Sequence, residues 1–198
     1  MWNFSDRFVG VMAGTTTEGN NPHAVYEAIR HNGVIPESML PFDRELLNTP
    51  AEYYSFKGGD ETRCLVEGQK WLQGYEFTHD WILTNKHTQE EGREILKQAL
   101  KICPVAVSVT AWATDNDGLY ADGGRRNTHW CLLFEYDGDK PVIFDSYDHS
   151  IKTLHPNHRM EFAKRIWLKK KDKKSWLADL IERILDAIKD LFNLTVEK

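Results

Sequence analysis

Cysteine is scarce in this sequence, and its positions exclude two common uses of the residue. Cys64, Cys103 and Cys131 are three widely spaced cysteines, with no Cys-x-x-Cys pair among them. This spacing does not fit a zinc site of the finger type, and an odd number of cysteines does not fit a dense disulfide framework. We therefore expect free thiols in a reducing compartment, with no metal ion and no other cofactor.

Long apolar runs and an excess of positive charge are also missing. No stretch approaches the roughly 20 apolar residues that a membrane span needs, and the first residues lack the basic start and apolar run of an export signal. The 25 Lys and Arg residues are outnumbered by 30 Asp and Glu residues, which gives a net charge of −5. This balance does not favour a basic face for nucleic acid. We expect no transmembrane segment and no nucleic-acid partner.

The chain does contain enough apolar material for a core, arranged first as helices. Of the 198 residues, 41% are hydrophobic. Asn3 is placed to cap a first amphipathic helix, and Asn21 and Gly33 stand at the start and the end of a second. Thr88 and Glu91 form a capping-box pattern before another apolar stripe. These signals predict that the first half of the chain is mainly helical.

Strand signals become frequent in the second half. Residues 75–83 alternate like a strand, residues 104–109 read as a buried strand, a hairpin with an Asp-Gly turn joins two more, and residues 162–168 add another. The predicted fold class is α+β. We expect a mainly helical lobe over residues 1–101, followed by a mostly antiparallel β lobe over residues 102–169.

A histidine and an aspartate stand at matching ends of the hairpin strands. His129 opens the first strand and Asp145 closes the second, and the turn at Asp137 and Gly138 pairs the two strands antiparallel. This pairing can bring the carboxylate to the imidazole and orient it, which supplies two thirds of a Cys-His-Asp nucleophilic site. The alternative is that His129 is a hydrogen-bonded histidine of the core.

The order of several short motifs resembles that of the papain-like cysteine peptidases, over most of residues 3–169. The motifs are Asn3-Phe4-Ser5-Asp6-Arg7-Phe8, Gly118-Leu119-Tyr120, His129, Asp145-Ser146-Tyr147 and Arg165-Ile166-Trp167-Leu168. The resemblance is to the divergent members found in phage and environmental bacterial genomes. It implies a papain-like fold and cleavage of a peptide or protein substrate at an amide bond. With no export signal, we expect a cytoplasmic or phage-associated location.

The resemblance also assigns roles to residues of the β lobe. His129 falls on the family's catalytic histidine, and Asp145 falls on the residue that orients it, where the family usually has Asn. Tyr147 stands in place of the Trp that shields the orienting residue. Trp130 follows the histidine directly, and we expect it near the substrate together with Tyr147.

The nucleophile is the part of the family's machinery that the resemblance does not supply. In the family, the catalytic Cys and the oxyanion Gln precede the motif matched by residues 3–8, and this sequence begins at that motif. We expect the polypeptide to be inactive alone, because a base without a nucleophile does not form an acyl-enzyme. Three explanations stay open: a fragment, a split peptidase completed by another polypeptide, and a non-catalytic binding module. We also expect the chain to self-associate, because apolar helix faces that the missing segment would cover stay exposed.

Cys131 is the alternative nucleophile, because it lies two residues after His129. Its thiol would stand beside the imidazole along one strand rather than across a cleft from it. We therefore favour a packing role for Cys131, since free cysteine is among the most buried residue types. Cys64 and Cys103 also read as packing residues.

Residues 170–198 differ in kind from the rest of the chain. A basic hinge is followed, from Ser175, by apolar residues at helical spacing. We expect a strongly amphipathic helix. We favour a helix that packs back on the domain. The alternatives, in decreasing order of preference, are a helix that binds a partner and one that lies on a membrane surface.

Overall fold

The structure of the protein is a computed structural model that describes residues 3–42, 47, 49–172 and 181. No helix within these ranges is long and apolar enough to cross a membrane. The predicted tail helix lies outside the described residues, apart from Ile181.

The chain forms two compact units whose boundary differs from the predicted one. Met1–Thr78 and Leu168–Lys198 make the first unit, and His79–Trp167 makes the second. The predicted boundary at residue 101 assigned the helix Gln89–Leu100 to the helical lobe. This helix packs on two strands of the second unit instead, because its apolar stripe needs the sheet to cover it.

The described part of the first unit contains the α-helices α1 (Asp6–Met12), α2 (Pro22–Asn32), α3 (Pro50–Tyr53) and α4 (Glu61–Gly74). Asn21 caps α2, as predicted. Ser5 rather than Asn3 caps α1. The Ser5 hydroxyl accepts the Phe8 amide at 3.0 Å and donates to the Leu40 carbonyl at 2.6 Å, so the side chain satisfies two backbone groups at once.

Two glycines allow the end of α2 to approach α4 closely. Gly33 follows α2 with φ at 71°. A Cβ on Gly68 of α4 would lie 2.1 Å from the carbonyl oxygen of Asn32, which is far inside van der Waals contact. The approach supports a small core in this unit, whose fully buried members are Phe8, Ile35, Leu40 and Cys64.

A six-stranded sheet has the strand order β1-β6-β2-β3-β4-β5. Its strands are β1 (Tyr75–Leu83), β2 (Val105–Val109), β3 (His129–Asp137), β4 (Lys140–Asp145), β5 (Ser150–Thr153) and β6 (Ala163–Lys170). The pairs of β2 with β3 and β6, of β3 with β4, and of β4 with β5 are antiparallel. The predicted α+β class with an antiparallel sheet is therefore confirmed.

The core of the second unit lies between this sheet and α5 (Gln89–Leu100). The capping box predicted at Thr88 and Glu91 opens α5. Alternate residues of β2 and β3, with Ile143 of β4, belong to this core, as the two-residue period of a strand requires. The buried members of this core include Leu96, Val107, Cys131, Leu133 and Ile143.

Candidate active site

His129 and Asp145 meet at one end of the β3–β4 hairpin. Leu133 of β3 lies opposite Ile143 of β4, so the first residue of β3 and the last residue of β4 share an end of the ladder and a face of the sheet. The Nε2 atom of His129 lies 2.8 Å from Oδ1 of Asp145. The His129 side chain is 12% exposed, and that of Asp145 is fully buried.

Asp145 has two partners besides the imidazole. Lys152 of β5 donates from Nζ to Oδ2 of Asp145 at 2.8 Å. The backbone amide of Tyr147 donates to Oδ1 at 3.1 Å. Burial alone raises the pKa of a carboxyl group, but the hydrogen bonds from Lys152, His129 and Tyr147 outweigh it and lower the pKa of Asp145 to about 2. The carboxylate is therefore ionised across the physiological pH range.

The ionised carboxylate determines which nitrogen of neutral His129 carries the hydrogen. A carboxylate only accepts hydrogen bonds, so Nε2 must be the donor and Nδ1 must carry the lone pair. No described residue donates a hydrogen bond to Nδ1 or accepts one from it. The arrangement leaves a basic nitrogen that is oriented by a carboxylate and available to another group.

Aromatic rings form the walls around the imidazole. The ring of Trp112 meets that of His129 edge to face, with centroids 5.7 Å apart and an interplanar angle of 82°. The Tyr147 ring lies 4.5 Å from the imidazole on a residue that is 83% exposed. Tyr147 therefore lies beside the pair and leaves one side of it accessible.

Trp130 does not join this group. It lies next to His129 on β3, and consecutive strand residues point to opposite faces of a sheet. Its ring packs 5.9 Å from that of Trp81 instead. The tryptophan beside the imidazole is Trp112, and the expected place of Trp130 near the substrate stays a prediction. Trp112 lies between β2 and β3, outside any strand, where no periodic pattern identifies its neighbours.

Cys131 lies close to the pair but is not prepared for nucleophilic attack. Its Sγ lies within 4.8 Å of a His129 nitrogen and of an Asp145 oxygen. Burial, and then the negative charge of Asp145, raise the pKa of Cys131 to about 12, against a smaller opposing effect of Lys152. At that pKa about one thiol in 100,000 is ionised at pH 7. The His129, Cys131 and Asp145 side chains are close enough together to hold a metal ion. We assign none to them, because the imidazole and the carboxylate pair with each other and the thiol is protonated.

Cys64 lies in a packing position, and Cys103 is half-buried. Cys64 is 1% exposed in the core of the first unit, and burial raises its pKa above the ordinary value. Cys103 precedes β2 at the end opposite Val109, the residue that pairs with His129. A strand advances ~3.3 Å per residue, so Cys103 is several residues' length away from the imidazole.

Comparison with known proteins gives one type of match. No family model and no curated protein matches the chain. Among solved structures, the chain is similar to the crystal structure of xylellain, a cysteine protease from Xylella fastidiosa, with 13% identity and a TM-score of 0.57. The match covers 87% of this chain and 71% of xylellain.

At this level of identity the likeness shows the fold alone. The chain has the mixed helix and antiparallel-sheet fold of a papain-like cysteine protease, as predicted. The narrower prediction of a divergent phage or environmental-bacterial type stays a prediction.

Proposed function

We propose that this chain carries the base and the orienting residue of a papain-like cysteine peptidase site. His129 acts as the base and then as the acid at Nδ1, and Asp145 holds Nε2. The observation that carries the proposal is the hydrogen bond of 2.8 Å between Nε2 and Oδ1 of Asp145, which leaves Nδ1 for a thiol. Its substrate is a peptide or protein, and the bond that it cleaves is an amide.

In the reaction, a thiol approaches Nδ1 and transfers its proton to the imidazole. The thiolate attacks the carbonyl carbon of the amide, and the imidazolium returns the proton to the leaving amine. Ionised Asp145 stabilises the imidazolium while it exists. Water then hydrolyses the acyl-thioester with the same imidazole as base.

We further propose that none of the three cysteines of this chain supplies that thiol. The pKa of about 12 for Cys131 and the burial of Cys64 support this. The thiol then comes from another polypeptide segment, as in a split peptidase. If no such segment exists, the chain is a non-catalytic module that retains the fold and the pair.

A peptidase assay on the isolated polypeptide tests this part of the proposal. The protein is incubated with a panel of fluorogenic peptides, with and without an irreversible thiol-directed peptidase inhibitor. We expect no inhibitor-sensitive turnover, because the described residues place neither a reactive thiol nor a nucleophilic substitute at Nδ1. Turnover that disappears in Cys131→Ala and persists in Cys64→Ala would contradict the proposal and make Cys131 the nucleophile.

A further inference from the structure

Lys152 is a buried lysine that contacts the Asp145 carboxylate of the candidate active site. Its side chain is 3% exposed, and lysine is almost never buried to this extent without a paired charge. Nζ donates to Oδ2 of Asp145 at 2.8 Å, to both carboxylate oxygens of Asp148 at 2.6 Å, and to Oγ of Ser150 at 2.7 Å. It also lies 5.0 Å from the centre of the Trp112 ring, which forms a wall of the same site.

The pairing of β4 with β5 explains how Lys152 reaches Asp145. Asp145 lies opposite Ser150, and Ile143 lies opposite Lys152. Asp145 and Lys152 are therefore diagonal neighbours on one face of the sheet, which is within reach of a long side chain. The register of a four-residue strand thus brings a cation to the far oxygen of the carboxylate that contacts His129.

This contact fixes the orientation of the carboxylate. The terminal torsion of an aspartate is broad and has roughly two equivalent positions, so one hydrogen bond leaves the carboxylate plane free to turn. Lys152 holds Oδ2, while His129 and the Tyr147 amide share Oδ1. With both oxygens held, the carboxylate presents Oδ1 to Nε2 in a single orientation.

We propose that Lys152 is a positioning residue for His129: it holds the Asp145 carboxylate in the orientation that accepts the hydrogen of Nε2, and so keeps the neutral imidazole in the tautomer with its lone pair on Nδ1. The use of that lone pair rests on the proposed function. The positioning itself is a property of the folded chain, and it is measurable without substrate or thiol.

The charges around His129 are consistent with this role. Asp145 faces it from β4, Lys152 reaches the carboxylate from β5, Asp148 contacts Lys152 from the preceding turn, and the protonated Cys131 lies beside it on β3. Burial opposes the charge on Lys152, but its hydrogen bonds to the two carboxylates outweigh burial and raise its pKa. At physiological pH, Lys152 is therefore a cation and Asp145 an anion.

Nuclear magnetic resonance of Lys152→Met tests the proposal, with Lys97→Met as the matched control. Lys97 donates to Asp139 at 3.0 Å, and the Asp139 side chain is 63% exposed. The side-chain ¹⁵N shifts of His129, recorded where the imidazole is neutral, report the tautomer. Carboxyl ¹³C shifts across pH report the two aspartates.

In Lys152→Met we expect the pKa of Asp145 to rise by at least about one unit, because the carboxylate loses a charged donor. We also expect His129 to change from a single tautomer to a mixture. In Lys97→Met the pKa of Asp139 rises, since that lysine is the largest cause of its lowering, and the His129 spectrum is unchanged. Lys152→Arg, which keeps the cation, retains the single tautomer.

A folded Lys152→Met protein that keeps a single His129 tautomer with the hydrogen on Nε2 overturns the proposal. If Lys152→Met does not fold, Lys152→Gln replaces it, because the Gln side chain is uncharged and one bond shorter than that of Lys. A mixture of His129 tautomers then supports the proposal, and a single tautomer overturns it. These spectra do not depend on peptidase chemistry. A failed thiol assay with the expected spectra therefore counts against the proposed function and leaves the role of Lys152 intact.

Discussion

At the scale of single residues, Asp145 is the centre of the site. It is fully buried and accepts hydrogen bonds from an imidazole, an ammonium and a backbone amide. A buried carboxylate is stable only when its charge is paired and its oxygens are hydrogen-bonded. The stability of the second unit and the orientation of His129 therefore depend on the same ion pair.

Asp145→Asn is expected to destabilise the protein by about 3 kcal/mol, because it leaves the buried ammonium of Lys152 with one carboxylate instead of two. Urea unfolding at pH 7 measures the loss. The control is Asp139→Asn, which breaks a surface ion pair with Lys97 and should cost far less, because solvent screens exposed charges. Equal losses in the two variants would show that the Asp145 pair is not buried as described.

The same ion pair predicts a specific pH dependence. The pKa of Asp145 is lowered in the folded state from 3.8 to about 2, so its stabilising contribution is present above pH 3.8 and is lost as the pH falls toward 2. The difference in unfolding free energy between the parent and Asp145→Asn should therefore shrink by roughly 2 kcal/mol between pH 6 and pH 2. Urea titrations of both proteins across this range test it, and a constant difference would contradict it.

At the scale of elements, turn and capping signals in the sequence predicted one hairpin and two helix starts. The Asp-Gly turn fixed the β3–β4 hairpin, and hence the approach of Asp145 to His129, while Asn21 and Thr88 marked two helix starts. β5 was missed because it is four residues long and has no alternating pattern that identifies it. Lys152 was missed with β5, since a lysine in the sequence indicates an exposed position until the pairing of the strand is known.

The close approach of α2 and α4 gives a prediction at this scale. Gly68→Ala should cost about 1 to 3 kcal/mol, because the new Cβ would stand 2.1 Å from the Asn32 carbonyl oxygen and both backbones would have to shift. Gly74→Ala in the same helix meets no atom within 4 Å and should be neutral or slightly stabilising, because alanine favours the helix. Thermal unfolding of both variants measures the difference. A neutral Gly68→Ala would contradict the described contact.

At the scale of the whole molecule, the residues of the candidate active site lie in one of the two units. His129, Asp145, Lys152, Trp112 and Tyr147 all belong to the second unit, His79–Trp167. Under the proposed function, this unit supplies the base, the residue that orients it and the cation that holds the orienting residue. The sequence resemblance predicted the fold, and it suggested the first two of these roles, which stay predictions. It did not predict the third, which depends on strand register.

We propose that His129 is an oriented base that receives no thiol from the described part of this chain, and an added small thiol tests this directly. A p-nitrophenyl ester is mixed with a small thiol and the protein, in a Cys103→Ser background because Cys103 is the one cysteine that is not buried. A general base accelerates such a transfer by about 10²-fold or more. We predict thiol-dependent acceleration that His129→Ala abolishes and that His31→Ala, at an exposed histidine of α2, retains. Either of two results would contradict this: a parent protein that reacts no faster than His129→Ala, or an acceleration that does not need the added thiol.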